Sequence, residues 1–285
     1  MILVTGANGF VGRALVSELV KSGSLVKALV RKVSKYLPVE VEQIVVDLNK
    51  IEGKATVKGV FTGMDVVVHL AARVHMMQDQ SANPLIEFRK LNRDATLALA
   101  KMAADRGVKR FVFLSSIGVN GNNNIIPFSE KDTPNPQEPY SISKYEAEKG
   151  LLALAKETDM EVVIIRPPLV YGPNAPGNFR NLVNWLRRGV PLPLGAISNK
   201  RSFVALDNLV SFITLCVDSP ESLKDISQVF LISDGEDVST TQLLYKVANA
   251  LGKNPWLFPV PESLLSFAAK LIGKGDVANR LFGSL

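Results

Sequence analysis

Residues 1–12 read Met1-Ile2-Leu3-Val4-Thr5-Gly6-Ala7-Asn8-Gly9-Phe10-Val11-Gly12. A four-residue apolar run meets a glycine-rich turn, and an amphipathic segment from Val11 to Lys21 follows, with apolar Val11, Ala14, Leu15, Leu19 and Val20 on one helical stripe. The order is strand, turn, helix. Glycines at 6, 9 and 12 suit a place where the backbone turns tightly and a pyrophosphate approaches amide groups at a helix N-terminus, whose dipole also favours negative charge. Their spacing, G-x-x-G-x-x-G, differs from the G-x-G-x-x-G of the common dinucleotide fingerprint.

Downstream, apolar runs of strand length recur at Leu25–Val30, Gln43–Val46, Val66–Leu70, Arg110–Leu114, Glu161–Arg166 and Val229–Ile232, with helical patterns at Asn92–Arg106, Ser143–Thr158 and Leu206–Val217 between some of them. This alternation predicts an α/β fold, a Rossmann-type doubly wound parallel sheet with helices on both faces. After Arg166 the composition changes. Pro167-Pro168, the run Gly172-Pro173-Asn174-Ala175-Pro176-Gly177, and Pro191, Pro193 and Gly195 predict irregular structure where a smaller, substrate-binding part begins. Ser239 with Gln242 three residues on reads as a capping box.

The chain of 285 residues carries 33 Lys and Arg against 27 Asp and Glu, a net charge of +6. The basic residues are scattered as short pairs without a long run or interleaved aromatics, so an anionic small molecule is the expected partner and nucleic acid is not. One cysteine, Cys216 in an apolar helical pattern, excludes a disulfide framework, and two histidines off ligand spacing argue against a metal. No stretch approaches the roughly 18 apolar residues of a membrane span, and the first strand begins at Met1, so a cytoplasmic protein is expected.

Tyr140 and Lys144 are one helical turn apart in Pro139-Tyr140-Ser141-Ile142-Ser143-Lys144. A free tyrosine keeps its proton to about pH 10, and a neighbouring cation favours the phenolate, so the pair suits acid and base chemistry at neutral pH. Ser115 and Ser116 end the apolar run 111–114, at the carboxyl edge where open α/β sheets bind ligands.

TGANGFVG at the start, Ser115-Ser116 after a strand and YSISK some two dozen residues later together resemble the extended short-chain dehydrogenase/reductase family, in its nucleotide-sugar epimerase/dehydratase branch. The resemblance runs from Met1 to about Gly252. It implies a dinucleotide-binding domain over 1–168 plus 202–234 and a substrate-binding domain over 169–201 plus 235–285, the latter shortened relative to relatives because the chain stops at Phe282-Gly283-Ser284-Leu285. It also implies that Gly6, Asn8, Gly9, Phe10, Val11 and Gly12 cradle the cofactor, that Asp47-Leu48 contacts adenine, and that Leu70-Ala71-Ala72 lets the cofactor lie close to backbone. Pro167, Tyr140 and Lys144 complete that contact set. Arg31 and Lys32, about 20 positions beyond the glycines, stand where an acid would select NAD and a cation accommodates NADP; NAD or NADP is expected, with NADP mildly favoured.

By the same resemblance Ser116 is the catalytic serine, Tyr140 exchanges a hydroxyl proton, and Lys144 lowers the tyrosine pKa and holds the nicotinamide ribose. Asn178 and Arg201 would bind the diphosphate of a nucleotide-diphosphate sugar, a UDP-sugar being the expected form, together with Ser116. Ser115 supports it from behind or contacts the cofactor, Asn92 is structural, His69 packs or hydrogen-bonds, and His75, in the loop that follows, borders the substrate or lies on the surface. Dehydratases of the branch carry an Asp-Glu pair after the strand-end serine or threonine; here Ile117-Gly118 stands there, which argues against dehydration. A 4-epimerase is therefore expected first, a reductase of 4-keto sugar nucleotides using NADPH second, and a non-catalytic NADP-binding regulator third. Relatives that pair through helices matching those near Asn92 and Tyr140 imply a homodimer.

Overall fold

The computed structural model of the chain describes residues 1–51, 59–74, 83–124, 126–218 and 228–271. Two compact units emerge: Met1–Gly121 with Ser129–Pro167 and Leu206–Ile232, and Asn122–Phe128 with Pro168–Ala205 and Ser233–Leu285.

The first unit is built on a seven-stranded sheet. Its strands are β1 (Ile2–Thr5), β2 (Val26–Val30), β3 (Glu42–Val45), β4 (Val66–His69), β5 (Arg110–Leu114), β6 (Glu161–Arg166) and β9 (Gln228–Leu231), each within a residue or two of an apolar run read from the sequence. They lie in the order β3-β2-β1-β4-β5-β6-β9 with every neighbouring pair parallel. Such a sheet must be covered on both faces, which is why the inner strands β1, β4, β5 and β6 read as near-continuous apolar runs instead of alternating, while Glu42 and Val45 of the edge strand β3 stay exposed. Strand order reverses between β1 and β4, where Thr5 lies opposite His69. Ligands of open α/β sheets bind beyond the carboxyl ends of strands at such a switch point.

Helix α1 (Phe10–Lys21) buries Leu15, Val16 and Leu19. On one face of the sheet, Leu3, Val67, Phe111 and Phe113 pack with Leu99, Ala103, Ala147 and Leu151. The last four come from α3 (Thr96–Ala104) and α4 (Pro139–Glu157). Each large apolar side chain so buried contributes about 1.5–3 kcal/mol. Ahead of α3, α2 (Pro84–Arg89) runs into a π-helical turn over Lys90–Ala95. Helix α6 (Leu206–Asp218) closes the other face, burying Leu209, Val210 and Ile213.

In the second unit β7 (Leu169–Tyr171) pairs in parallel with β8 (Phe203–Ala205). Helix α5 (Gly177–Arg187) lies inside the stretch expected to be irregular. The glycines and prolines there form the turn that precedes the helix: Asn174 and Gly177 adopt φ of 64° and 70°, and Pro176 is the N-cap. Leu182 and Leu186 of α5 pack with Leu192, Leu194, Ile197 and with Leu244 and Ala248 of α7 (Thr240–Ala250). Ser239 and Gln242 do form the capping box that starts α7: Gln242 N donates to Ser239 Oγ at 3.0 Å and Ser239 N donates to Gln242 Oε1 at 2.8 Å. The unit ends with α8 (Glu262–Leu271). The terminal residues 282–285 and His75 lie outside the described residues.

Candidate active site

The glycine turn leaves β1 and reaches α1 in four residues. Gly6 has φ +69°, and a Cβ there would lie 2.7 Å from Ala71 N and from the Leu70 carbonyl carbon, so only glycine lets the ends of β1 and β4 approach. A Cβ on Gly12 would stand 2.2 Å from Gly6 O, and Gly9 N donates to Gly6 O at 2.8 Å. Helix α1 then begins with Gly9 as its N-cap and no side-chain cap, leaving the first amides, at Phe10, Val11 and Gly12, without a capping side chain. That set of donors fits a pyrophosphate.

Asn8 Nδ2 donates to Lys32 O at 2.8 Å and ties the turn to the end of β2, where Arg31 and Lys32 are both exposed. Asp47 is engaged locally: its Oδ1 accepts from Asn49 N at 3.1 Å and Asn49 Nδ2 at 3.2 Å, and Leu48 beside it is buried. After β4, Leu70 N donates to Thr5 O at 3.3 Å and Ala71 N to Thr5 Oγ1 at 3.2 Å, which holds Leu70, Ala71 and Ala72 against the glycine turn. Thr5 went unremarked in the sequence, where it is one more strand residue.

His69 is fully buried with both ring nitrogens bonded, Nδ1 to Thr5 Oγ1 at 2.8 Å and Nε2 to Thr96 Oγ1 at 2.9 Å. Burial first, and the nearby Lys144 charge second, push its pKa down to about 3. A neutral ring locked on both sides matches the packing and hydrogen-bonding role read for it.

Ser116 follows β5 and N-caps a short 3₁₀ turn, its Oγ accepting from Gly118 N at 3.2 Å. Ile117 N donates to Pro167 O at 2.9 Å, so the serine loop is anchored to the end of β6. Tyr140 is the second residue of α4, after Pro139 at the first helical position, and its ring meets Phe88 edge-on with centroids 6.0 Å apart. Lys144, one turn on, is 1% exposed, with Nζ 3.9 Å from the centre of the Phe113 ring.

The electrostatics differ from the expectation that Lys144 pulls the tyrosine down. Burial pushes the Tyr140 phenol up to about 12, and burial pushes the Lys144 ammonium down to about 7, against the opposing charge of Glu148. In a dry pocket desolvation of each group outweighs their mutual help. A lysine near 7 exchanges its proton at neutral pH.

Asn92 is completely buried in the π-helical turn. It accepts from Arg73 N at 2.8 Å and donates to Arg73 O and Ser143 Oγ at 3.0 Å each, while Ser143 Oγ donates to Tyr140 O at 2.6 Å. The extra residue of a π turn rotates this amide toward the loop after β4 and toward α4 at once. Sequence reading took Asn92 as structural; Ser143, its partner, was visible only as a small residue in YSISK.

Asn178 falls in the first turn of α5 in the second unit. Arg201 is there too, in an antiparallel bridge with Val238: its N–H donates to Val238 O at 3.1 Å and its carbonyl accepts from Val238 N at 3.0 Å. Burial lowers the pKa of its guanidinium. Among the described residues no three His, Cys, Asp or Glu gather as a metal site, and no helix is long and apolar enough to cross a membrane.

Residues 2–232 match the family described as the NAD dependent epimerase/dehydratase family. The chain belongs to that family. It is 45% identical to a UDP-glucose 4-epimerase of Vibrio cholerae, over 100% of this chain and 86% of that protein. Among solved structures, MoeE5 in complex with UDP-glucuronic acid and NAD aligns with a TM-score of 0.76 and 30% identity, covering 90% of this chain and 84% of that one. The UDP-glucose 4-epimerase of Thermus thermophilus in complex with NAD aligns with a TM-score of 0.76 and 25% identity, covering 91% and 86%.

Proposed function

We propose that the protein is an NAD-dependent 4-epimerase of a UDP-sugar, with Ser116, Tyr140 and Lys144 at the reacting centre. The observation that carries it is the uncapped glycine turn at one strand end, with a serine at the next strand end but one and a helix bearing half-buried Tyr140 and buried Lys144, in a chain 45% identical to a UDP-glucose 4-epimerase.

When bound, the nicotinamide supplies the acceptor and later the donor of a hydride. The protein's own residues manage the proton and the oxygen. Tyr140 first passes its phenol proton to the neutral amine of Lys144, and the phenolate then takes the proton of the sugar 4-hydroxyl and later returns it to the same oxygen, while Ser116 Oγ hydrogen-bonds that oxygen and fixes its direction. Lys144 offers a positive charge that favours the phenolate when it forms. Phe113 and Phe88 exclude water from the lysine and the tyrosine. In the second unit Arg201 offers a guanidinium fork and Asn178 an amide for the diphosphate. Ile117-Gly118 supplies neither acid nor base for eliminating water.

NAD, present in both solved neighbours, is the dinucleotide proposed here; those neighbours lend no support to a preference for NADP. Purified protein incubated with UDP-glucose, UDP-N-acetylglucosamine or UDP-glucuronic acid, with no added reductant, should yield the 4-epimer by NMR. Tyr140→Phe should lower that turnover by about 10²–10⁴-fold and leave dinucleotide binding intact. Stoichiometric NADPH consumption on a 4-keto sugar nucleotide, without epimer formation, would replace this reading by a reductase.

A further inference from the structure

Beneath the site lies a buried ionic cluster that proton exchange does not use. Glu148 is 1% and Arg166 4% exposed, and Arg166 grips the carboxylate with two prongs, Nη2 to Oε2 at 2.6 Å and Nε to Oε1 at 3.0 Å. Ser115 Oγ donates to the same Oε1 at 2.5 Å. Arg166 Nη1 donates to Asn120 Oδ1 at 2.9 Å, and Asn120 Nδ2 donates to Ser129 O at 3.1 Å. An apolar pair of similar volume stabilises a core as well as a buried ion pair does, so stability alone does not account for these charges.

Their location does. Glu148 is one turn past Lys144, which is one turn past Tyr140, so three functional groups share a stripe of α4. The carboxylate holds Ser115, the residue before Ser116, and the backbone N–H of Ser115 donates to Ile165 O at 2.7 Å. One side chain thus touches the end of β5, the end of β6 and the lysine's helix.

We propose that Glu148, clamped by Arg166, is a positioning residue that keeps Ser116 and Lys144 in register and places a carboxylate one helical turn from the lysine. Its effect on turnover rests on the epimerase reading; its effect on the lysine does not.

Tyr140 precedes Lys144 on α4, the Phe113 ring of β5 lies under its Nζ, and His69 at the end of β4 is neutral. Glu148 is the carboxylate whose charge opposes the desolvation of the ammonium. Its removal leaves burial uncompensated, and Lys144 then releases its proton at lower pH.

The test uses the full chain labelled with [¹³Cε]lysine, the Lys144 resonance being assigned by its loss in Lys144→Met. In Glu148→Gln and in Glu148→Gln/Arg166→Met, where the second change removes the stranded guanidinium, Lys144 should titrate lower by about one unit. Glu148→Asp, which keeps the charge, should titrate near the wild type. With UDP-glucose, both Gln variants should lose about 10–100-fold in kcat with KM changed less than about threefold, and the alkaline limb of kcat should move down with the lysine. A Lys144 titration unchanged in the folded double variant, or a kcat restored along with its melting temperature, would overturn the proposal. A shifted lysine in a protein whose wild type epimerises nothing would defeat the epimerase reading and leave the positioning role standing.

Discussion

The side-chain amide of Asn92 donates to the hydroxyl of Ser143 across 3.0 Å, joining a π-helical turn to the helix that carries Tyr140. Because the same amide clamps both backbone polar groups of Arg73, three segments converge on one side chain. Asn92→Ala should therefore lower stability by about 2–3 kcal/mol, since it strips partners from several buried groups at once. Urea denaturation measures this, and a change under about 0.5 kcal/mol would show that the amide is replaceable.

The buried base pair of residues predicts how stability varies with pH. Folded His69 takes a proton at about 3, against about 6.5 when unfolded, so between those values the unfolded chain holds the extra proton and stability falls as pH falls. Folded Lys144 loses its proton at about 7, against about 10.5 unfolded, so stability climbs as pH rises across that window. Tyr140 acts oppositely above about 10, where the unfolded chain ionises first. Urea midpoints should rise from about pH 4 to about pH 9, and Lys144→Met should flatten the part above about pH 7.

Gly118 has a neighbour that decides what can replace it. A Cβ there would lie 2.5 Å from Ser141 Oγ, on the residue after Tyr140. Gly118→Ala is expected to displace the start of α4 and reduce kcat by about tenfold or more, while Gly118→Ala with Ser141→Ala, which removes the offending oxygen, recovers most of it. Equal activities of the two variants would show that the contact is absorbed elsewhere.

Arg31 stands exposed at the end of β2 beside Lys32, whose carbonyl is tied to Asn8. Calorimetric titration of the dinucleotide-free protein should show Arg31→Ala weakening NADP by about 1 kcal/mol or more and NAD by less, because only NADP places a phosphate at the ribose 2′ position. Equal losses for both would remove Arg31 from the choice of dinucleotide.

The sheet was legible because its strands obey local rules: apolar runs such as 110–114 and 161–166 are buried on both faces, and glycines at 6 and 12 mark a turn no other residue fits. Tyr140 and Lys144 stood out by their spacing, and Ser116 by its place after an apolar run. The short pairing of 169–171 with 203–205 was not, since three-residue strands carry almost no periodicity and their partner lies more than thirty residues away. Helix α5 was hidden by the prolines and glycines that introduce it. Nothing in the sequence marks Glu148 and Arg166 as partners, because burial is a property of the assembled fold; the recurrence of Tyr140, Lys144 and Glu148 at every fourth position was the available hint. The proton affinities of Tyr140 and Lys144 also depend on that assembly, which is why spacing misjudged their balance.

The all-parallel order of the sheet has a consequence for what the protein can admit. Every strand ends at the same edge, and α1 and α4, which begin after β1 and β5, turn their amino ends toward it. Each carries about half a positive charge there. Before any side chain is considered, the edge therefore sorts ligands by charge: doubly charged diphosphates gain from it and free neutral sugars do not.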